Sequence, residues 1–128
     1  MKLLLDTHTF LWWDSEPERL SPTVMALCRD PANALLLSVA SIWEIQVKSQ
    51  LGKLELKRPV AEIIRDQRRA NQLRILPIWL KHVLTLGELP SHHRDPFDRL
   101  LVCQARVEGA VLLTRDRLIG QYDVDVRW

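Results

Sequence analysis

Glycine and cysteine are scarce in this chain, and its charges nearly cancel. The four glycines are scattered, so no Gly-rich loop is available to cradle a phosphate. The two cysteines, Cys28 and Cys103, lie far apart and form no Cys-x-x-Cys pair, which excludes a disulfide framework and a zinc ribbon. A formal net charge of +2 is too small to argue by itself for nucleic acid or a membrane. Any polyanion-binding surface therefore has to come from local patterning. No apolar run approaches the roughly 18 residues of a membrane span. No basic-then-apolar leader opens the chain, because Asp6 and His8 follow at once. A Gly-x-Ser-x-Gly elbow and a Ser-His-Asp order are also missing. The expectation is a soluble cytoplasmic protein with reduced thiols.

What is present suits a single folded domain over residues 1–128. The chain has 128 residues, of which 47% are hydrophobic, enough for a real core. Short apolar runs at Lys2 to Leu5, Ala34 to Val39, Leu73 to Ile78 and Ala110 to Leu113 read as buried strands, with Val124 to Trp128 as a fifth. Between them lie helical patterns: Thr7 to Trp13, a helix opening at Ser21-Pro22, one capped by Ser41 and running to about Gln50, then Pro59 to Asn71, Trp79 to Leu86 and Pro96 to Glu108. Ile42, Ile45 and Leu51 are expected to face inward, and Leu54-Glu55-Leu56 reads as a short extended piece. This alternation predicts an α/β fold in three layers, with a mainly parallel sheet of four to five strands between helices.

The chemistry concentrates at strand ends. Asp6, Glu44, Asp98 and Asp116 each follow a strand or begin the next helix, at the carboxyl edge where open parallel sheets bind ligands. Asp95 has the signature of a helix N-cap, Pro96 of the first helical position and Asp98 of the third. Capping accounts for Asp95 and leaves Asp98 free to point into a cleft. Two carboxylates about 5 Å apart repel by roughly 3 kcal/mol at an effective dielectric near 20. Four together call for raised pKa values or a cation, and a hard ion such as Mg²⁺ or Mn²⁺ prefers oxygen ligands. His92 and His93 are adjacent and cannot easily face one ion together, so zinc is disfavoured. A carboxylate-held Mg²⁺ or Mn²⁺ suits phosphoryl chemistry, with one ion or two.

These segments resemble the PIN-domain ribonucleases, of the kind found as VapC-type toxins in toxin–antitoxin pairs. The likeness rests on Leu3-Leu4-Leu5-Asp6-Thr7-His8, on Ser38-Val39-Ala40-Ser41-Ile42-Trp43-Glu44-Ile45, on His93-Arg94-Asp95-Pro96-Phe97-Asp98-Arg99-Leu100-Leu101 and on Leu112-Leu113-Thr114-Arg115-Asp116. It implies a compact α/β/α domain, Mg²⁺- or Mn²⁺-dependent endonucleolytic cleavage of RNA, a small antitoxin partner of the VapB type, and a homodimer. The family's acidic quartet maps onto Asp6, Glu44, Asp98 and Asp116. Asp95 is the alternative third acid, able to cap or to bind metal through water.

Beside the acids, Thr7 and Thr114 are candidates to hydrogen-bond to them. Arg94, Arg99 and Arg115 are candidates for gripping an RNA phosphate, with ion pairing inside the fold as the competing use. Arg65, Arg68 and Arg69 form a basic helix face that either tracks RNA or is simply solvated. Five tryptophans are many for this length. Trp43 is expected in the core, with base stacking as its other use, and Trp12 and Trp13 are candidates for a dimer or antitoxin surface. The competing functional class is a catalytically silent PIN-fold module that binds RNA or a protein. A missing acid would have favoured it.

Overall fold

A computed structural model describes all of residues 1–128. The elements are β1 (Lys2–Leu5), α1 (Thr7–Ser15), α2 (Pro22–Arg29), β2 (Ala34–Ser38), α3 (Val39–Gln50), α4 (Val60–Asn71), β3 (Arg74–Leu76), α5 (Leu80–Thr85), α6 (Pro96–Glu108), β4 (Val111–Leu113) and β5 (Val126–Arg127), with single 3₁₀ turns at Pro17–Arg19, Leu86–Glu88 and Ile119–Gln121. The sheet has five strands in the order β3-β2-β1-β4-β5, and every pairing is parallel.

β1 sits at the centre with no polar residue between Leu3 and Leu5, as a strand covered on both faces should. Its side chains alternate between two cores. Leu3 and Leu5 join Leu35, Leu37, Val111 and Leu113 below the sheet, packed by Phe10, Val24 and Ile63 from α1, α2 and α4. Leu4 joins Leu36 and Leu112 above it, packed by Leu101, Val102 and Ala105 from α6. α3 reaches both layers, with Ala40 in the upper core and Ile45 in the lower one. The parallel three-layer arrangement is the predicted one.

Several local expectations shift. β3 and β5 are shorter than the apolar runs that announced them. Ser38, not Ser41, caps α3: its hydroxyl accepts from the Ala40 N–H at 3.0 Å, while Ser41 is buried inside the helix. The helix thus starts directly from the strand, with no loop between. Leu51, expected to face inward, is 63% exposed, because α3 ends at Gln50. Leu54 to Leu56 form no strand, and the two leucines pack instead against the lower core. Trp43 is 58% exposed rather than in the core, and meets Phe97 edge-on with ring centroids 5.0 Å apart. Trp12 and Trp13 are partly buried against the lower core. No helix is long and apolar enough to cross a membrane. Cys28 and Cys103 are both buried free thiols.

Candidate active site

The strand order reverses at β1: β2 and β3 lie on one side of it, β4 and β5 on the other. At such a switch point the loops leaving neighbouring strands diverge and open a crevice at the carboxyl edge. Asp6 leaves β1 there, and Thr114 leaves β4 beside it. The Asp6 N–H and the Thr9 hydroxyl both donate to the Leu113 carbonyl at 3.1 Å, stitching the two strand ends together. Asp6 also caps α1, accepting from the Thr9 N–H at 2.8 Å through Oδ1. Its other oxygen, Oδ2, accepts from the Thr114 hydroxyl at 2.6 Å.

Glu44 arrives from the second turn of α3 and is 2% exposed. Its Oε1 accepts from the Thr7 hydroxyl at 2.5 Å, and its Oε2 pairs with the Lys48 ammonium one turn further along. Asp95 caps α6 by accepting from the Phe97 and Asp98 N–H groups, at 2.8 and 3.3 Å. That frees the Asp98 side chain, which lies 3.2 Å from His93 Nε2. The same ring nitrogen lies 2.8 Å from Asp116 Oδ2. His93 Nδ1 accepts from the Asp95 N–H at 3.0 Å, so the ring proton belongs on Nε2, facing both carboxylates. Through Nε2, His93 gathers Asp98 and Asp116. Ligating a cation through Nε2 would require giving up that proton.

Asp6, Thr7, Glu44, Asp95, Asp98 and Asp116 line one cleft of about 420 Å³, together with His8, Trp12, Lys48, His93 and Arg115. Its carboxylates outnumber its fixed cations, Lys48 and Arg115. The imbalance is visible on Asp98. Burial, then the charges of Asp95, Asp6 and Glu44, push its carboxyl up to about 7, against a smaller opposing effect of His93. Asp6 is also raised, because burial outweighs its bonds from Thr114 and Thr9 and the charge of His8. Excess buried carboxylate oxygen without matching positive charge is the donor set a hard divalent cation requires. Asp98 and Asp116 lie closest to a ligating arrangement, their oxygens and His93 Nε2 falling within 4.8 Å of one another, with Asp6 lining the same cleft, while Glu44 already has a cationic partner in Lys48.

Of the other candidates, only Arg115 among the arginines lines the cleft. Arg99 is committed elsewhere, its guanidinium donating to the Pro90 carbonyl at 3.0 Å and to the Tyr122 hydroxyl at 3.3 Å, which braces the loop before α6. Arg94 is exposed outside the lining. Arg65 pairs with Asp66, Arg68 and Arg69 face solvent, and none of the three borders the cleft. Sequence reasoning missed Lys48 and the gathering role of His93. The signal for Lys48 was its four-residue spacing from Glu44 on one helix. For His93 no local pattern existed, since its carboxylate partners come from a different turn and a different strand end.

A parallel α/β/α domain with acids converging at the switch point offers a donor set that can hold a divalent cation. Comparison with known proteins is more specific. The PIN domain family model matches residues 3–125. The chain is 35% identical over 123 residues to Ribonuclease VapC22 of Mycobacterium tuberculosis (strain ATCC 25618 / H37Rv), covering 94% of this chain and 91% of that protein. This chain belongs to the PIN domain family. Among solved structures it is similar to VapBC2 from Rickettsia felis bound to a promoter DNA fragment, with a TM-score of 0.73, 18% identity and 99% and 98% of the two chains covered. It is also similar to DNA-bound VapBC from Salmonella typhimurium, with a TM-score of 0.70, 13% identity and 99% and 97% covered. At these identities the structural likeness speaks for the fold.

Proposed function

We propose that this protein is an endoribonuclease that hydrolyses RNA phosphodiester bonds with Mg²⁺ or Mn²⁺, and is the toxin of a VapBC-type pair. The observation that carries the reading is the meeting of Asp6, Glu44, Asp98 and Asp116 in one cleft. The likeness to a ribonuclease over nearly the whole chain supports the substrate class. Asp6, Asp98 and Asp116 would hold the ion, with Asp95 serving mainly as the cap of α6. When bound, such an ion polarises the phosphate and acidifies water near neutral pH.

The chain's own residues do the rest. Thr114 and Thr7 fix the rotamers of Asp6 and Glu44 by donating to one oxygen of each. His93 holds Asp98 and Asp116 together. Arg115, exposed at the rim, is placed to meet a phosphate of the RNA backbone. The exposed Trp43 and its neighbour Phe97 offer aromatic surface beside the two acids they flank in sequence, suited to stacking a base.

Two protein partners complete the reading. The solved relatives are toxin–antitoxin complexes, which supports a VapB-type antitoxin for this chain. A second copy suits α5 and its entry, where Trp79, Leu80, Val83 and Leu84 are between 46% and 74% exposed. The test of the function is incubation of purified, antitoxin-free protein with total tRNA and rRNA. Cleavage with Mg²⁺ or Mn²⁺ that EDTA and Asp6→Asn abolish is the expected result. A folded protein inert on both RNA pools would overturn the proposal, and salt-dependent RNA binding unaffected by Asp98→Asn would replace it with the silent binding module.

A further inference from the structure

Glu44 stands apart from the other acids of the cleft, because one of its oxygens is paired with a lysine ammonium of this chain. Thr7 holds Oε1 and the Lys48 ammonium holds Oε2. Lys48 is one turn on in α3, so the two side chains share one helix face. It lines the cleft itself, with its side chain 33% exposed, and a bound polyanion can therefore reach it. The charges of Asp95 and Asp98 act on it as well as that of Glu44. Burial pulls the ammonium down, but the bond to Glu44 and these three charges outweigh it and hold it above the ordinary lysine value. A permanent positive charge thus sits where a second divalent ion would otherwise have to balance Glu44.

We propose that Lys48 is the fixed second cation of the site: it neutralises Glu44, leaves one divalent ion to Asp6, Asp98 and Asp116, and presents its ammonium to the RNA phosphate from the α3 side. This rests on the nuclease reading above and adds to it the number of ions and the residue that replaces one. A compact, strongly hydrated ammonium on a flexible stem suits a phosphate as a point charge. A lysine that merely buttressed Glu44 would predict the opposite response of metal binding to its removal, and that difference can be measured.

The experiment uses the full chain as wild type, Lys48→Met, Lys48→Gln and Lys48→Arg, each checked for a wild-type-like thermal melt. Bound Mn²⁺ is counted by electron paramagnetic resonance of the free ion, and RNA cleavage is measured at saturating Mn²⁺. One ion per wild-type chain is expected. The two neutral variants should bind that ion about tenfold more tightly, since a repelling charge has gone and Glu44 is released. Their cleavage rate at saturating Mn²⁺ should nonetheless fall about a hundredfold, as for loss of a group that stabilises transition-state charge. Lys48→Arg should keep most of the rate. Two ions per wild-type chain, unchanged or weaker binding in the neutral variants, or undiminished cleavage by them would each overturn the assignment. The ion count needs no RNA, so an inert wild type counts against the nuclease reading while the role of Lys48 is still decided by Mn²⁺ binding.

Discussion

Thr114 donates its hydroxyl to Asp6 Oδ2 at 2.6 Å, joining residues 108 positions apart in the chain. The same hydroxyl accepts from the Asp116 N–H at 3.1 Å, so one small side chain orients two of the four acids. Thr114 is 1% exposed and Asp6 is 8% exposed. Removing the hydroxyl leaves a buried carboxylate oxygen without its donor, a loss of about 1–3 kcal/mol. Thr114→Val should therefore lower stability in urea unfolding by that amount and weaken divalent-ion binding. Thr114→Ser should restore both.

Asp98 carries the clearest pH signature. Its carboxyl is raised from the ordinary 3.8 to about 7, first by burial and then by neighbouring acids. A raised folded-state value favours the neutral form, so the contribution of Asp98 to stability is full below about pH 4 and is lost as pH rises through about 7. At roughly 1.4 kcal/mol per pH unit the ceiling is about 4 kcal/mol, and the partial exposure of the group keeps the real value below it. Metal-free Asp98→Asn should consequently melt higher than wild type at pH 8, with the gap closing towards pH 4. Added Mn²⁺ should raise the melting temperature of wild type at pH 8 and raise that of Asp98→Asn far less. Scanning calorimetry across this pH range, with EDTA and with Mn²⁺, checks both.

Much of this architecture was legible in the sequence because strands buried on both faces read as unbroken apolar runs. Leu3 to Leu5 and Leu35 to Leu37 carry that signal, and the acids that follow them come to the sheet edge by topology alone. β5 was overdrawn because its alternating Val124, Val126 and Trp128 mark burial, while pairing with β4 covers only Val126 and Arg127. Side-chain partnerships across the chain were legible only in part: Thr7 and Thr114, read as candidates to bond the acids, donate to Glu44 and Asp6, but the partners of Arg99 left no signal. Arg99 looks like a phosphate ligand beside Asp98, yet it bonds backbone carbonyls of the preceding loop and Tyr122. Trp43 looked like core because it is large and apolar, but its azimuth on α3 points away from both cores, as that of Ile45 does not.

The apolar surface around α5 makes a prediction about assembly. Leu80 and Leu84 are 74% and 66% exposed, one turn apart on a helix whose other side packs on α6. Exposed neighbouring leucines on a short helix mark a contact surface. If the proposed second copy docks there, wild type should run as a dimer in light scattering and Leu80→Glu with Leu84→Glu as a monomer. Since neither residue lines the cleft, the isolated monomer should keep its affinity for Mn²⁺.

His82 fixes the orientation of that surface. The ring is fully buried, although it belongs to a helix of only six residues. Its Nδ1 accepts from the Trp79 N–H at 2.9 Å, which caps the helix start, and its Nε2 lies 2.9 Å from Glu108 Oε2 at the end of α6. With Nδ1 accepting, the proton on Nε2 donates to Glu108. This bond is the main reason Glu108 is held below its ordinary 4.5. A lowered folded-state value means that its stabilising effect is present above about pH 4.5 and fades as pH falls below it. His82→Ala leaves a cavity and an unpaired N–H, and should cost about 2–4 kcal/mol. Hydrogen exchange in His82→Ala should show α5 losing protection before the sheet does, and the acid-side loss of stability should flatten in Glu108→Gln. An α5 as protected as the sheet in His82→Ala would mean that apolar packing on α6, rather than this buried histidine, holds the helix down.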